Sequence, residues 1–312
     1  MITLADVEAA AARIAPHIRR TPTIEATALS RPITPARLML KLENMQASGS
    51  FKARGATNKL LSMPPGATDR GIVTASGGNH GLAVARAAKL AGVHATIYVP
   101  ETITPAKVDK LRAWGATVEI IGQIWNDTNV HALRMAETTG AAYFHPFADA
   151  AVAAGQGTAA LELLADVPDV DTVLVAIGGG GLISGMGVAI RALKPSVRII
   201  GIEPEGSPTL KASLDAGRVV RLDKVTSRVA TMSCAETDPL VFETVRSVVD
   251  DVILLSDDEM LEASRWLWFE LGIAADLSGS AAAAALMFGR VKADAGTTVA
   301  ALVCGAGADG TL

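Results

Sequence analysis

Cysteine is scarce, with two in 312 residues. So few thiols cannot build a disulfide framework, and they fit a reducing, cytoplasmic compartment. Charge of one sign is also missing: 28 Lys+Arg face 32 Asp+Glu. The resulting balance leaves no basic footprint for nucleic acid or for an anionic membrane. There is no HExxH, no CxxC and no GxxxxGK[ST], which removes the corresponding metal-hydrolase and P-loop readings. No GxSxG stands between a strand and a helix, which argues against an α/β hydrolase. The N-terminus starts without a basic cluster, and Asp6 and Glu8 break any apolar core, so it does not read as a secretory leader. Thr3 with Asp6 instead makes the pattern of a capping box opening a helix. The longest uncharged run, Thr172–Ile190, holds six glycines, four of them consecutive. That is poor material for a membrane helix and better read as strand, glycine loop and helix.

What is present is apolar and glycine-rich. Half of the residues are hydrophobic, which rules out a disordered chain. Short β-branched runs at Ile72–Thr74, Ala95–Val99, Thr117–Ile121, Thr172–Ile177, Arg198–Ile202, Asp251–Leu255 and Thr298–Val303 predict strands. Between them, Gly81–Ala91, Pro105–Trp114, Asn126–Thr139, Gly155–Leu164, Ile183–Leu193, Asp257–Leu271 and Ser280–Asp294 carry apolar residues at helical spacing. Such alternation predicts an α/β fold with parallel sheets covered on both faces. The alanine run Ala281–Ala285 predicts a helix packed closely on a sheet. No Gly/Ser linker marks a domain boundary, so a chain of two domains would cross between them more than once.

Four glycine-bearing sites carry the chemistry. Gly178-Gly179-Gly180-Gly181 follows a strand and precedes a helix, where free amides and the helix dipole favour an anion. A dinucleotide site is the rival, with Glu203 as the ribose ligand, but the spacing gives no clean GxGxxG. Ser76-Gly77-Gly78-Asn79-His80-Gly81 offers donors for a carboxylate, or else an ordinary N-cap cluster. In Ser48-Gly49-Ser50-Phe51-Lys52-Ala53-Arg54-Gly55, Lys52 sits among small residues, an unusual setting for a solubilising charge. A lysine that works as a nucleophile or base needs such a restricted pocket. Cys304-Gly305-Ala306-Gly307 follows the last strand; on composition alone Cys304 is a small core residue.

Taken in order, these segments resemble the fold type II enzymes that use pyridoxal 5′-phosphate (PLP), and within them the serine/threonine dehydratase branch that includes serine racemases. Lys41-Leu42-Glu43-Asn44, His145-Pro146-Phe147, Gly155-Gln156-Gly157-Thr158 and Glu203-Pro204 belong to the same set. The resemblance implies two open, twisted, mostly parallel sheets flanked by helices. It implies a large PLP-binding domain of residues 1–70 and 148–312, with a small mobile domain of residues 71–147. No C-terminal regulatory domain is expected. Lys52 would bind PLP through its amine, with Phe51 packed beside the cofactor and Asn79 on the ring hydroxyl. Gly178, Gly179, Gly180 and Gly181, with Leu182, would cradle the phosphate. Ser76, Gly77, Asn79 and His80 would clasp the substrate carboxylate. Cys304 would face the ring nitrogen, where the family usually has Ser or Thr. A neutral thiol should not hold a proton there as a carboxylate would.

The implied activity is that of a lyase: β-elimination from a β-hydroxy L-amino acid such as threonine or serine, giving a 2-oxo acid and ammonia. A cytoplasmic homodimer with a small-molecule amino-acid substrate is expected from the family, with no nucleic-acid or membrane partner. Three departures matter. Gly77 stands where racemases carry a serine acid/base, which predicts weak racemase activity. Val229–Glu236 differs from the segment expected in threonine dehydratases, and Asp276 replaces a common Glu, which keeps 3-hydroxyaspartate and phenylserine open as substrates. Some relatives bind a divalent cation near Glu203, but the expected second acid is absent here. The alternatives are a β-replacement enzyme of the cysteine-synthase type and, from another class, an NAD-dependent dehydrogenase.

Overall fold

The computed structural model describes residues 2–311 apart from Ile124, and only the backbone of Asn126. The chain opens with helix α1 (Leu4–Ile14), held by the Thr3–Asp6 capping box that the sequence pattern predicts. Strands β1 (Thr23–Glu25) and β2 (Arg37–Leu42) follow, then two short 3₁₀ turns and helix α2 (Lys52–Ser62). Next come β3 (Ile72–Ala75), α3 (Asn79–Ala91), β4 (Ala95–Val99), α4 (Pro105–Ala113), β5 (Thr117–Ile120), α5 (Trp125–Thr139) and β6 (Ala142–Tyr143). The chain continues through α6 (Ala150–Asp166), β7 (Thr172–Ala176), α7 (Gly181–Leu193), β8 (Arg198–Pro204), α8 (Thr209–Ala216) and α9 (Pro239–Val248). It closes with β9 (Asp251–Leu255), α10 (Asp257–Leu271), α11 (Leu277–Met287) and β10 (Thr298–Val303).

The strands form two sheets. Six lie in the order β1-β2-β10-β7-β8-β9, all parallel except β1, which runs against β2. Four lie in the order β5-β4-β3-β6 and are all parallel. The smaller sheet uses only residues 72–143, while the larger is drawn from the segments before and after. Each sheet is dressed by helices, as parallel strands require. Helix α2 is shared: Ala56 and Leu60 join the core of the smaller sheet, with Ile72, Ile97 and Phe144. The alanines of α11 are buried to 1% exposure or less and pack in the main core. Small side chains are what let this helix approach the sheet so closely.

The α/β expectation is met, and every predicted strand is present. The differences lie in boundaries and in elements the pattern did not reveal. Helix α7 begins at Gly181 rather than Ile183, α6 at Ala150 rather than Gly155, and α11 stops at Met287 rather than Asp294. β1, β2, β6, α2, α8 and α9 were not predicted. Arg37 and Lys41 make β2 look like surface, yet Lys41 is wholly buried because a carboxylate waits for it. No described helix is long and apolar enough to cross a membrane.

Candidate functional site

Lys52 is the first residue of α2, and the turn before it is tightly shaped. Ser48 and Gly49 both take left-handed backbone angles, φ +64° and +81°. The next residues are strapped to the end of β10: the Phe51 amide donates to the Cys304 carbonyl (3.2 Å), and the Ala306 amide donates to the Gly49 carbonyl (2.8 Å). Cys304 and Lys52 therefore come together across the whole length of the sequence. Two residues on, Arg54 is fully buried and anchors α2. Its guanidinium grips Glu43 (2.7 and 2.8 Å) and Glu162 (2.7 and 2.8 Å), and Lys41 reaches the same Glu162 at 2.7 Å. Bidentate pairs of this kind fix geometry as well as charge.

The Lys52 amine donates to the Pro146 carbonyl at 2.8 Å and lies 5.1 Å from the Phe51 ring centroid. Burial lowers its pKa to about 8, a shift opposed by the sulfurs of Cys304 and Cys234. Two histidines stand close enough to feel its charge. His80 is pushed down to about 3 by burial and then by Lys52, and His145 to about 4 by the same causes. Both are neutral at physiological pH. His80 has its Nε2 at 3.1 Å from the Phe144 carbonyl, while its Nδ1 is buried without a partner. His145 Nδ1 accepts from the amides of Phe147 (3.3 Å) and Ala148 (2.8 Å).

The tetraglycine loop lies between β7 and α7, with Gly180 as N-cap at φ +93° and no side chain capping the helix. The first backbone bond of the helix is from Ser184 to Gly180 (3.0 Å), so the amides before it point out of the helix end. Leu182 lies in that first turn with its side chain in the core. Packing alone demands glycine here. A Cβ on Gly179 would come within 2.1 Å of the Phe147 ring, and one on Gly181 within 2.9 Å of Phe147 Cβ. Phe147 thus packs into the space the missing side chains leave. It joins the glycine loop to Pro146 and so to Lys52.

Ser76, Gly77, Asn79 and His80 form the turn from β3 into α3, with the Ser76 hydroxyl accepting the Gly78 amide (3.3 Å). Asn79 reaches across from the smaller sheet and donates to Asp276 at 3.1 Å. Cys304 is buried, and its thiol lies 3.6 Å from the Ser278 hydroxyl. Burial pushes that thiol above its usual range, and the Asp276 carboxylate adds to the effect. Glu203 stands apart from this group. Its two oxygens accept the amides of Leu210 and Lys211, both at 2.8 Å, so it anchors the start of α8. Burial raises its carboxyl to about 7 against the pull of those donors. Among the described residues no three His, Cys, Asp or Glu side chains gather as a metal site.

The arrangement therefore offers one lowered amine, an uncapped helix start joined to it through Pro146 and Phe147, a second helix start whose His80 feels its charge, and a carboxylate that an amide reaches directly and a thiol through Ser278. A family model, that of the pyridoxal-phosphate dependent enzymes, matches residues 14–305. The chain belongs to this family. The pyridoxal-phosphate dependent enzymes it is similar to include the L-threonine ammonia-lyase of Thermotoga maritima, 39% identical over 92% of this chain and 71% of that protein. The catabolic L-threonine dehydratase of Staphylococcus aureus is also 39% identical, over 94% of this chain and 84% of that protein. Among solved structures, maize serine racemase superposes with a TM-score of 0.92 at 33% identity, covering 97% of this chain and 93% of that one. The processed form of threonine deaminase isoform 2 from Solanum lycopersicum gives 0.90 at 30% identity, covering 97% of this chain and 88% of that one. The fold is that of the fold type II members, and PLP is the cofactor. The residues present suit it: an amine poised near neutrality for the aldehyde, and free amides at a helix start for the phosphate.

Three residues of this site carry no individual signal in the sequence. Phe147 and Pro146 lay inside a segment that contributed to the resemblance without a role. Ser278 carried no signal, since a serine near a helix start reads as an ordinary cap.

Proposed function

We propose that this protein is a PLP-dependent ammonia-lyase that removes the β-hydroxyl and the amine of a small L-amino acid such as threonine or serine, yielding a 2-oxo acid and ammonia. The observation that carries this reading is the Lys52 amine, lowered to about 8 and held by the carbonyl of Pro146, whose neighbour Phe147 packs on the glycine loop. When bound, PLP supplies the electron sink that makes the α-proton of an amino acid acidic. The chain's own residues do the rest. Lys52 holds the cofactor and, once free as an amine, takes the α-proton. The amides from Gly178 to Leu182 hold the phosphate at the start of α7. Those from Ser76 to His80 hold the substrate carboxylate at the start of α3. Asn79 and Cys304 would face the ring hydroxyl and the ring nitrogen, and Phe51 would pack at its side. The relatives named for threonine favour threonine and serine over 3-hydroxyaspartate. Residues 71–147 would act as a small mobile domain on the larger one (residues 1–70 and 148–312), in a cytoplasmic homodimer.

The test begins with colour. The purified protein should be yellow, and borohydride should fix the cofactor to Lys52, as peptide mapping would show. Lys52→Ala should be colourless and release no 2-oxo acid. A screen of L-threonine, L-serine, the 3-hydroxyaspartates and phenylserine should give its highest 2-oxo acid release with one of the first two. A colourless wild type that binds NAD would sink the reading.

A further inference from the structure

The side chains expected to face the cofactor ring are not independent of one another. Asp276 is the N-cap of α11, and its Oδ1 accepts the Gly279 amide and the Ser278 hydroxyl, both at 2.7 Å. Its Oδ2 accepts the Asn79 amide nitrogen at 3.1 Å. Three donors on two oxygens leave the carboxylate as a pure acceptor. A hydroxyl has one hydrogen, and Ser278 spends it on Asp276. Ser278 must therefore accept from Cys304, and the thiol hydrogen points at Ser278. Every hydrogen bond in the chain Cys304–Ser278–Asp276–Asn79 is donated toward Asp276. Gly305, next to Cys304, makes the meeting possible. A Cβ there would lie 2.7 Å from Asp276 Oδ2 and 3.0 Å from Asn79 Nδ2. The Asp276 amide is also tied to the Gly305 carbonyl at 3.0 Å, so the carboxylate is held in place from both sides.

We propose that Asp276 is a positioning residue that dictates which hydrogen-bonding ends of Asn79 and Cys304 are shown to the cofactor ring. It draws the nitrogen end of the Asn79 amide to itself, so the amide cannot turn over. Through Ser278 it draws the thiol hydrogen of Cys304 away, so the sulfur offers the ring nitrogen lone pairs and no proton. Both orientations are thus set by one residue, which acts on Asn79 directly and on Cys304 through Ser278. This inference rests on the placement of PLP given above and deepens it.

The test uses the holoenzyme and reads the visible absorption band of the bound cofactor as a function of pH, a signal that mere loss of packing does not move. Asp276→Asn keeps an N-cap oxygen for α11 but puts donors where the carboxylate was. It should retain the cofactor and shift the midpoint of the band's pH titration by about half a unit, a roughly threefold change in the proton equilibrium. Asp276→Glu should recover part of the wild-type midpoint. In an Asn79→Ala, Ser278→Ala background, Asp276→Asn should shift the midpoint no further, because both routes are already cut. An unmoved midpoint in Asp276→Asn, or the full shift persisting in that background, overturns the inference. Should Asp276→Asn not accumulate as folded protein, Ser278→Ala reads the thiol arm alone, and an unchanged titration there overturns it equally. A wild type without cofactor defeats the functional reading itself and is told apart by its lack of colour.

Discussion

At the scale of the residue, protonation decides what Lys52 can do. An amine adds to an aldehyde only when neutral. With its pKa lowered to about 8, the fraction neutral rises tenfold per unit as pH climbs toward that value. The apo-protein should therefore take up PLP faster as pH rises from 6 to 8 and level off above, as stopped-flow absorbance would record. A rate that is flat over this range would mean that the amine is already neutral. Cys304 gives a second prediction. With Cys304 facing the ring nitrogen as proposed, Cys304→Asp would place a carboxylate there, which should slow elimination and increase transamination, both measurable from product ratios. A third concerns Gly77, where the one close clash of an added Cβ would be with the tip of Ile103, at 2.8 Å, and the next contacts lie at 3.4 Å and beyond. A flexible tip can yield, so Gly77→Ser should fold and raise D-serine formation from L-serine above that of the wild type.

At the scale of the element, the glycine loop and the segment before α6 form one packed unit. Gly179→Ala drives a methyl into the Phe147 ring at 2.1 Å and should cost about 1–3 kcal/mol as overpacking. It should also weaken PLP binding. Phe147→Ala combined with Gly179→Ala should recover much of the lost stability in thermal melts, and failure to do so would place the fault in the backbone instead. The sequence suggests an anion site in this loop but does not show its packing role, because the partner of its glycines lies more than thirty residues away. The same limit explains the missed elements. The core strands were legible because both their faces are apolar. β2 was not, because Arg37 and Lys41 interrupt its pattern, and the carboxylate that neutralises Lys41 is far along the chain. α2 was hidden by its opening among Ser and Gly and by Gly55, where a Cβ would strike the Gln156 side chain at 2.5 Å. The candidate site was legible as an ordered set of motifs. Its internal wiring, Pro146 on Lys52 and Asp276 on Asn79, needed coordinates.

At the scale of the molecule, the buried charges at the root of α2 hold the two halves of the larger sheet's framework together. Glu162 would be raised by burial alone, but Arg54 and Lys41 hold it below the ordinary value of 4.5. A carboxyl lowered in the fold adds stability above its unfolded pKa and loses it as pH falls through the folded one. Glu162→Gln should therefore destabilise the protein at pH 7 by roughly 3–5 kcal/mol, the cost of leaving buried cations short of a partner. Thermal melts should show the gap between variant and wild type narrowing toward pH 3. The smaller sheet sits between the segments this cluster joins. If residues 71–147 move as a body, hydrogen exchange on adding substrate should change at the Asn79 and Phe147 junctions and little within β3 and β4.

The cluster also has a consequence for how the chain is born. Lys41, Glu43 and Arg54 are made early, but Glu162 lies 108 residues after Arg54. At synthesis rates of roughly 5–20 residues per second, it follows about 5–20 seconds later. During that interval the emerging chain carries two cations and one anion destined for the interior, and α2 cannot settle on its final bed. The smaller sheet, complete by residue 143, is free to form while the start of α2 still waits. Lys52 is thus locked into place only after the lobe beside it has been made.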